Sequence, residues 1–87
     1  MADPKIAITV VVNGEPTVIS ANPHAPLRSI VEKALEESGN VGQPPENWEM
    51  HDQAGDLLDL DRKVESFGFA DGARLFLNLK AGIGGQL

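Results

Sequence analysis

An α+β roll, with one helix laid across one face of a small sheet, is the architecture this sequence predicts. Three stretches carry the prediction: a hairpin-forming run around Asn13-Gly14, one amphipathic helical pattern beginning at Leu27, and an alternating strand from Arg74 to Lys80. The chain has 87 residues, 41% of them hydrophobic, which suffices for one domain with one modest core.

The run KIAITVVVNGEPTVISA holds two β-rich segments around Asn-Gly, the strongest two-residue hairpin signal, because both loop positions need positive φ. A two-residue loop sets Val10 opposite Thr17, Ile8 opposite Ile19, and Ile6 opposite Ala21. Those residues share a face with Val12, while Ala7, Thr9 and Val11 face the other way. Pro16 donates nothing to a ladder, so its strand belongs at a sheet edge.

In APLRSIVEKALEESG, Leu27, Ile30, Val31, Ala34 and Leu35 recur at helical spacing. Pro26 suits the first helical turn and Gly39 the position after the last. Ala25 is a poor N-cap, which shifts the start by a residue or two. NVGQPPEN reads as a rigid loop. WEMHD reads as a strand with Trp48 and Met50 on one face and Glu49 and His51 on the other. QAGD turns the chain into a short strand around Leu57-Leu58, and LDRKVESFGFADGA supplies a helical turn at about Arg62–Ser66 and a glycine-punctuated loop. RLFLNLK alternates, with Leu75, Leu77 and Leu79 inward and Arg74, Phe76, Asn78 and Lys80 outward.

Composition narrows the function. A net charge of −6 argues against nucleic acid and anionic membrane surfaces, which need clustered Lys and Arg. No apolar run approaches a bilayer span, and MADPKIAITV lacks the pattern of a secretory signal. Zero cysteines excludes disulfides, zinc-thiolate sites and a cysteine nucleophile in this chain. A cytoplasmic address is the default expectation. Arg62, Lys63, Arg74 and Lys80 put four of the seven basic residues in the last third, either as ordinary surface charge or as steering toward an acidic partner.

No catalytic or metal constellation stands out. His24 and His51 are the only histidines, and neither sits at ligand spacing from a second strong ligand. DLLDLD supplies Asp56, Asp59 and Asp61 without the glycine and final glutamate of a calcium loop, so it reads as surface acid. Serines 20, 29, 38 and 66 lack His-Asp companions. No cofactor is expected. Trp48 reads as core. Phe76, outward on a polar strand face, is either a partner anchor or a ring covered by loop packing.

The order of elements, ending in a leucine-alternating strand and then Gly-Gly, resembles the β-grasp fold of ubiquitin. The resemblance runs from about Lys5 to Gly85. DLLDLDRKVESFGFADGARLFLNLK is similar to ubiquitin's short strand, one-turn helix, aromatic-containing loop and final strand, and GQPPENW to the Pro-Pro loop after its helix. It implies a mixed sheet of four to five strands on one helix, with the first and last strands parallel at its centre. Residues 1–4 then form an extension, 5–80 the domain, and 81–87 a flexible tail. Phe76 and Asn78 stand where ubiquitin carries part of its receptor-binding patch. With His51, Arg74 and Lys80 they form the candidate partner surface, more polar than ubiquitin's. Lysines are few (Lys5, Lys33, Lys63, Lys80), and the sequence is similar in style to bacterial ubiquitin-like proteins.

The resemblance also implies chemistry at the tail. The carboxylate of Gly85 would be adenylated by an ATP-dependent activating enzyme and passed to a target, after a peptidase cuts between Gly85 and Gln86. Gly84 and Gly85 suit that role because a chain without Cβ atoms passes a narrow channel and presents its last carbonyl unhindered. Gln86-Leu87 reads as a removable cap. The expected protein is thus a monomeric modifier and not an enzyme, with an activating enzyme, a conjugating enzyme where one exists, a peptidase and a target protein as partners. Two alternatives stand beside it: a sulfur carrier in which Gly85 becomes a thiocarboxylate, and an unconjugated ubiquitin-like binding module using the Phe76 face.

Overall fold

The computed structural model of the protein describes residues 5–40 and 42–80. The expected extension (residues 1–4) and tail (residues 81–87) lie outside the described residues. Four strands form one mixed sheet in the order β2-β1-β4-β3: β1 (Ile6–Val12), β2 (Glu15–Ala21), β3 (Trp48–His51) and β4 (Ala73–Leu79). One helix, α1 (Leu27–Ser38), covers one face. This is the ubiquitin-like β-grasp arrangement, and β1 and β4 run parallel side by side at the sheet centre, as expected.

Hairpin β1–β2 has the register that its loop dictates, Val10 opposite Thr17, Ile8 opposite Ile19 and Ile6 opposite Ala21. Asn13 (φ 50°) and Gly14 (φ 88°) take the two positive-φ positions of the loop. A two-residue loop makes Val12 and Glu15 a hydrogen-bonded pair, so Val11 and Pro16 form the next, non-bonded pair. The Pro16 nitrogen therefore faces away from β1, where its missing N–H leaves no gap in the ladder. Parallel pairing sets Ile8 opposite Ala73 and Val12 opposite Leu77. Its upstream end is tied by the Asp71 carboxylate, which accepts the Ala7 N–H at 2.6 Å, and by the Gly72 N–H, which donates to the Ala7 carbonyl at 2.7 Å.

Helix α1 presents Leu27, Ile30, Val31, Ala34 and Leu35 to the sheet, all buried. Pro26 lies one residue before the helix, in extended backbone, rather than in its first turn, and no side chain caps the N-terminus. Backbone carbonyls do so instead: the N–H groups of Leu27 and Arg28 donate to Arg62 (2.8 Å) and Leu60 (2.9 Å), and that of Ser29 to Pro26 (3.0 Å). In return, Val64 donates to Ala25 and Glu65 to Pro23. The helix ends at Gly39 (φ 79°), whose N–H donates to Glu36 while that of Asn40 donates to Leu35.

The expected short strand around Leu57-Leu58 is a single bridge, His51 to Leu57, beside a bond from the Leu58 N–H to the Met50 carbonyl. The reason is the capping duty just described. After an Asp52 turn, in which its carboxylate accepts from Ala54 (2.9 Å) and Asp56 (3.0 Å), the chain must leave β3 to bring the Leu60 and Arg62 carbonyls to α1. The helical turn falls at Val64–Phe67 as a 3₁₀ turn, slightly later than expected, and a second 3₁₀ turn occupies Pro45–Asn47 in the Pro-Pro loop. Phe67 stacks on Phe69 with centroids 5.1 Å apart, and the Arg62 guanidinium sits 4.5 Å above the Phe67 ring.

The core lies between sheet and helix: Ile8, Val10, Val12, Ile19, Met50, Leu75, Leu77 and Trp48 from the strands meet the apolar stripe of α1 and Val64. Among the described residues, no helix is long and apolar enough to cross a membrane. Leu77 is fully buried at the centre of the sheet. Leu77→Ala should lower stability by about 2–5 kcal/mol. Urea unfolding would show this as a lower midpoint at unchanged slope.

Candidate functional site

With α1 on one face, the other face of the sheet is left for solvent or a partner, and strand alternation decides what stands on it. From β4 come Arg74, Phe76 and Asn78, followed by Lys80; from β3 come Glu49 and His51; from β1, Ala7, Thr9 and Val11; from β2, Pro16, Val18 and Ser20. Register assembles them in rows. Phe76 stands between Val11 and His51, Asn78 opposite Glu49, and Thr9 between Val18 and Arg74. Phe76, Asn78, His51 and Arg74 therefore share this face, with Lys80 just beyond the strand end, where its N–H donates to the Asn47 carbonyl at 2.9 Å.

Phe76 is half-buried, with Val11 and His51 beside it on the flanking strands. Val11 is only 9% exposed although it points away from the helix. Val18, two pairs along the edge strand, is 68% exposed. An apolar band, Pro16–Val11–Phe76, thus crosses the sheet and is flanked by Val18. Reasoning on β4 alone missed Val11 and Val18. The hairpin register could have found them, since it already fixed Pro16 opposite Val11 and Val18 opposite Thr9.

Polar groups frame the band. The His51 Nε2 lies 3.6 Å from a Glu49 carboxylate oxygen, both side chains about one-third exposed (29% and 35%). Arg74 and Asn78 are exposed. The band is thus an aromatic ring with branched aliphatics inside a polar and charged rim. His24, the other histidine, is far along the chain and 3.6 Å from a Glu65 carboxylate oxygen. Among the described residues no group of three or more His, Cys, Asp or Glu is placed to hold a metal. The proposed reactive positions, Gly84 and Gly85, and the processing position Gln86 lie outside the described residues. What the fold fixes is their origin: β4 ends at Leu79, so the chain leaves the sheet at Lys80, beside this face.

A family model described as "Protein of Unknown function (DUF2604)" matches residues 1–85. The uncharacterized protein y4jI of Sinorhizobium fredii is 58% identical over 81 residues, which are 93% of this chain and 62% of that protein. The chain thus spans about three-fifths of the length of this curated relative. Among solved structures, a ubiquitin of Caldiarchaeum subterraneum superposes with a TM-score of 0.73 at 23% identity, covering 92% of this chain and 99% of that one. A ubiquitin-like domain of an Arabidopsis thaliana protein does so with a TM-score of 0.73 at 18% identity, covering 92% and 82%. At these identities the likeness is one of fold.

A half-buried ring on a sheet surface is expected to contribute little to folding. Phe76→Ala should cost about 1 kcal/mol in urea unfolding, well short of the ~3–5 kcal/mol for a fully buried Phe. A loss in the upper range would assign Phe76 to the core rather than to the outward band.

Proposed function

The chain belongs to the DUF2604 family, described as a protein of unknown function, and we propose that it is the precursor of a ubiquitin-like protein modifier. In this reading a peptidase cleaves after Gly85, an activating enzyme adenylates the freed carboxylate with ATP, and the acyl group passes, directly or through a conjugating enzyme, to a nucleophile on a target protein. The protein is the acyl donor and supplies no catalytic group of its own. ATP-dependent activation fits a cytoplasmic setting.

One observation carries the proposal. A ubiquitin-like sheet whose central last strand ends at Leu79 is followed, without an intervening element, by Lys80 and the sequence Ala81-Gly82-Ile83-Gly84-Gly85. The family match extends through Gly85 as well. Each acyl transfer needs attack at the carbonyl of the last residue, and glycine there leaves the approach open. The Phe76 band with Arg74, His51, Asn78 and Lys80 lies beside the chain's exit and is the surface by which an activating or receptor protein would hold the domain while the carboxylate reacts.

In its native host, a chain tagged at its N-terminus should be recovered ending at Gly85 and in covalent adducts of higher mass, and Gly85→Ala should abolish the adducts. Intact mass spectrometry checks both. A free chain carrying sulfur in place of one carboxyl oxygen would indicate the sulfur-carrier chemistry instead. Retention of Gln86 in every adduct would refute processing at this site.

A further inference from the structure

The sheet has two edges, and they are finished differently. At β3, the segment after the Asp52 turn folds alongside, and the Leu58 N–H donates to the Met50 carbonyl before the chain diverges around a cavity of about 370 Å³ lined by Trp48 and Leu57. At β2, no described strand lies beyond. Its free side follows from the hairpin register. Val12 with Glu15, Val10 with Thr17 and Ile8 with Ile19 are the hydrogen-bonded pairs, so the N–H and carbonyl groups of Val18 and Ser20 point away from β1.

Exposed edges are normally blunted by a charged side chain, a proline or a bulge. Glu15 and Pro16 do this at one end of β2. The remainder, Thr17-Val18-Ile19-Ser20-Ala21, carries no charge and no proline, and its register against β1 runs without a bulge. Val18, in the middle of this stretch, is the most exposed large aliphatic among the described residues. Such an edge is a template for one more strand.

The strand it accepts must itself be extended, uncharged and open along one side, and β2 meets all three conditions. Charge agrees with a second copy. The groove between β2 and α1, about 360 Å³, carries Lys5 and Lys33 beside Glu32 and Glu36, two of each sign in a chain of net charge −6. Two copies therefore approach along this edge with opposite charges available to each other rather than with net repulsion. Pro16 then selects the register. Pairing about a twofold axis at Val18 would set Pro16, which has no N–H, opposite Ser20 of the copy. Pairing about Ile19 sets Val18 opposite Ser20 and completes both hydrogen bonds of each such pair.

We propose that two copies of the chain pair antiparallel through β2, centred on Ile19, a dimer where the sequence predicts a monomer. The twofold axis stands perpendicular to the sheet, so the two four-stranded sheets become one, with both helices on one face and both Phe76 bands on the other. Val18, at the flank of each band, joins them. What this does for function rests on the modifier reading: a receptor with two binding modules meets both bands on one surface, and its second contact is intramolecular. An interface of this kind lies at the small end of the known range, so the dimer is weak and concentration-dependent.

Sedimentation equilibrium of the full chain between about 10 μM and about 1 mM suits an interface of that class. The mass should rise from 9.3 kDa toward twice that value. Over the same range, amide exchange at Val18 and Ser20 should slow, while Thr17 and Ile19, whose N–H groups are already in the β1 ladder, should not change. Ser20→Pro removes an edge-facing N–H and leaves that ladder whole, so it should keep the circular dichroism of the unsubstituted chain and raise the dissociation constant about tenfold. Val18→Lys should weaken the dimer at least as much, by placing like charges near the axis. A mass of 9.3 kDa at every concentration would overturn the proposal. So would a dimer that both variants leave unchanged, or one whose Val18 and Ser20 amides exchange as in the monomer. None of these readouts involves Gly85 or an enzyme, so the modifier reading is tested separately.

Discussion

The parallel pairing of β1 with β4 is the constraint on which the rest of the structure depends. It joins the first element to the last, so nearly all of the chain between them is a single loop that must fold over the pair. Ile8, Val10, Val12, Leu75 and Leu77 on these two strands are 0–1% exposed and form the floor on which α1 lies. β2 is then attached only through β1, and β3 only through β4. Closing so long a loop before any contact compensates for it makes such pairing entropically demanding, which explains the extra ties at its ends. The Asp71 carboxylate and Gly72 N–H fasten Ala7 at one end, and the Asn13 N–H donates to the Leu77 carbonyl at the other. The same pairing puts β4, which ends at Leu79, at the centre of the sheet.

A second dependency follows from how α1 is started. Its N-terminal N–H groups find no side-chain cap and take the carbonyls of Leu60 and Arg62. This draws the segment after the Asp52 turn away from β3, leaves Leu57 exposed and opens the cavity beside Trp48. Helix capping, the single bridge in place of a strand at Leu57 and the cavity beside Trp48 are thus one structural choice. The outward sheet face is independent of it, since its composition follows from strand alternation alone.

Much of this was legible in the residues. Asn13-Gly14 admits a two-residue loop, and that loop dictates the whole β1–β2 register. The stripe from Leu27 to Leu35, the Gly39 stop, the inward Trp48 and Met50, and the leucines of β4 are likewise read from period and turn chemistry. What was not legible depended on partners distant in sequence. Leu57-Leu58 has the composition of a strand, and only the need of α1 for carbonyls pulls it away. The burial of Val11 on the outer face requires knowing that Phe76 lies beside it. The unpaired indole of Trp48 is invisible without the atoms that fail to reach it. For the candidate site, the ubiquitin-like order of strands let Phe76, Asn78, His51 and Arg74 be grouped on one sheet face, but not the Val11 and Val18 that continue the band.

The functional account joins a fold that delivers its last strand to the sheet centre with a Gly-Gly sequence five residues past that strand's final leucine. Its central claim is that Gly85 becomes covalently bound to other proteins. Lys80 is the last basic residue before Gly85, so trypsin would leave Ala-Gly-Ile-Gly-Gly as a branch on any acceptor amine. Tandem mass spectrometry of a tryptic digest from the native host tests this most directly. The account predicts lysine-containing peptides of other proteins that carry the five-residue branch. Finding residues 81–85 only in unbranched peptides that continue through Gln86 would contradict it.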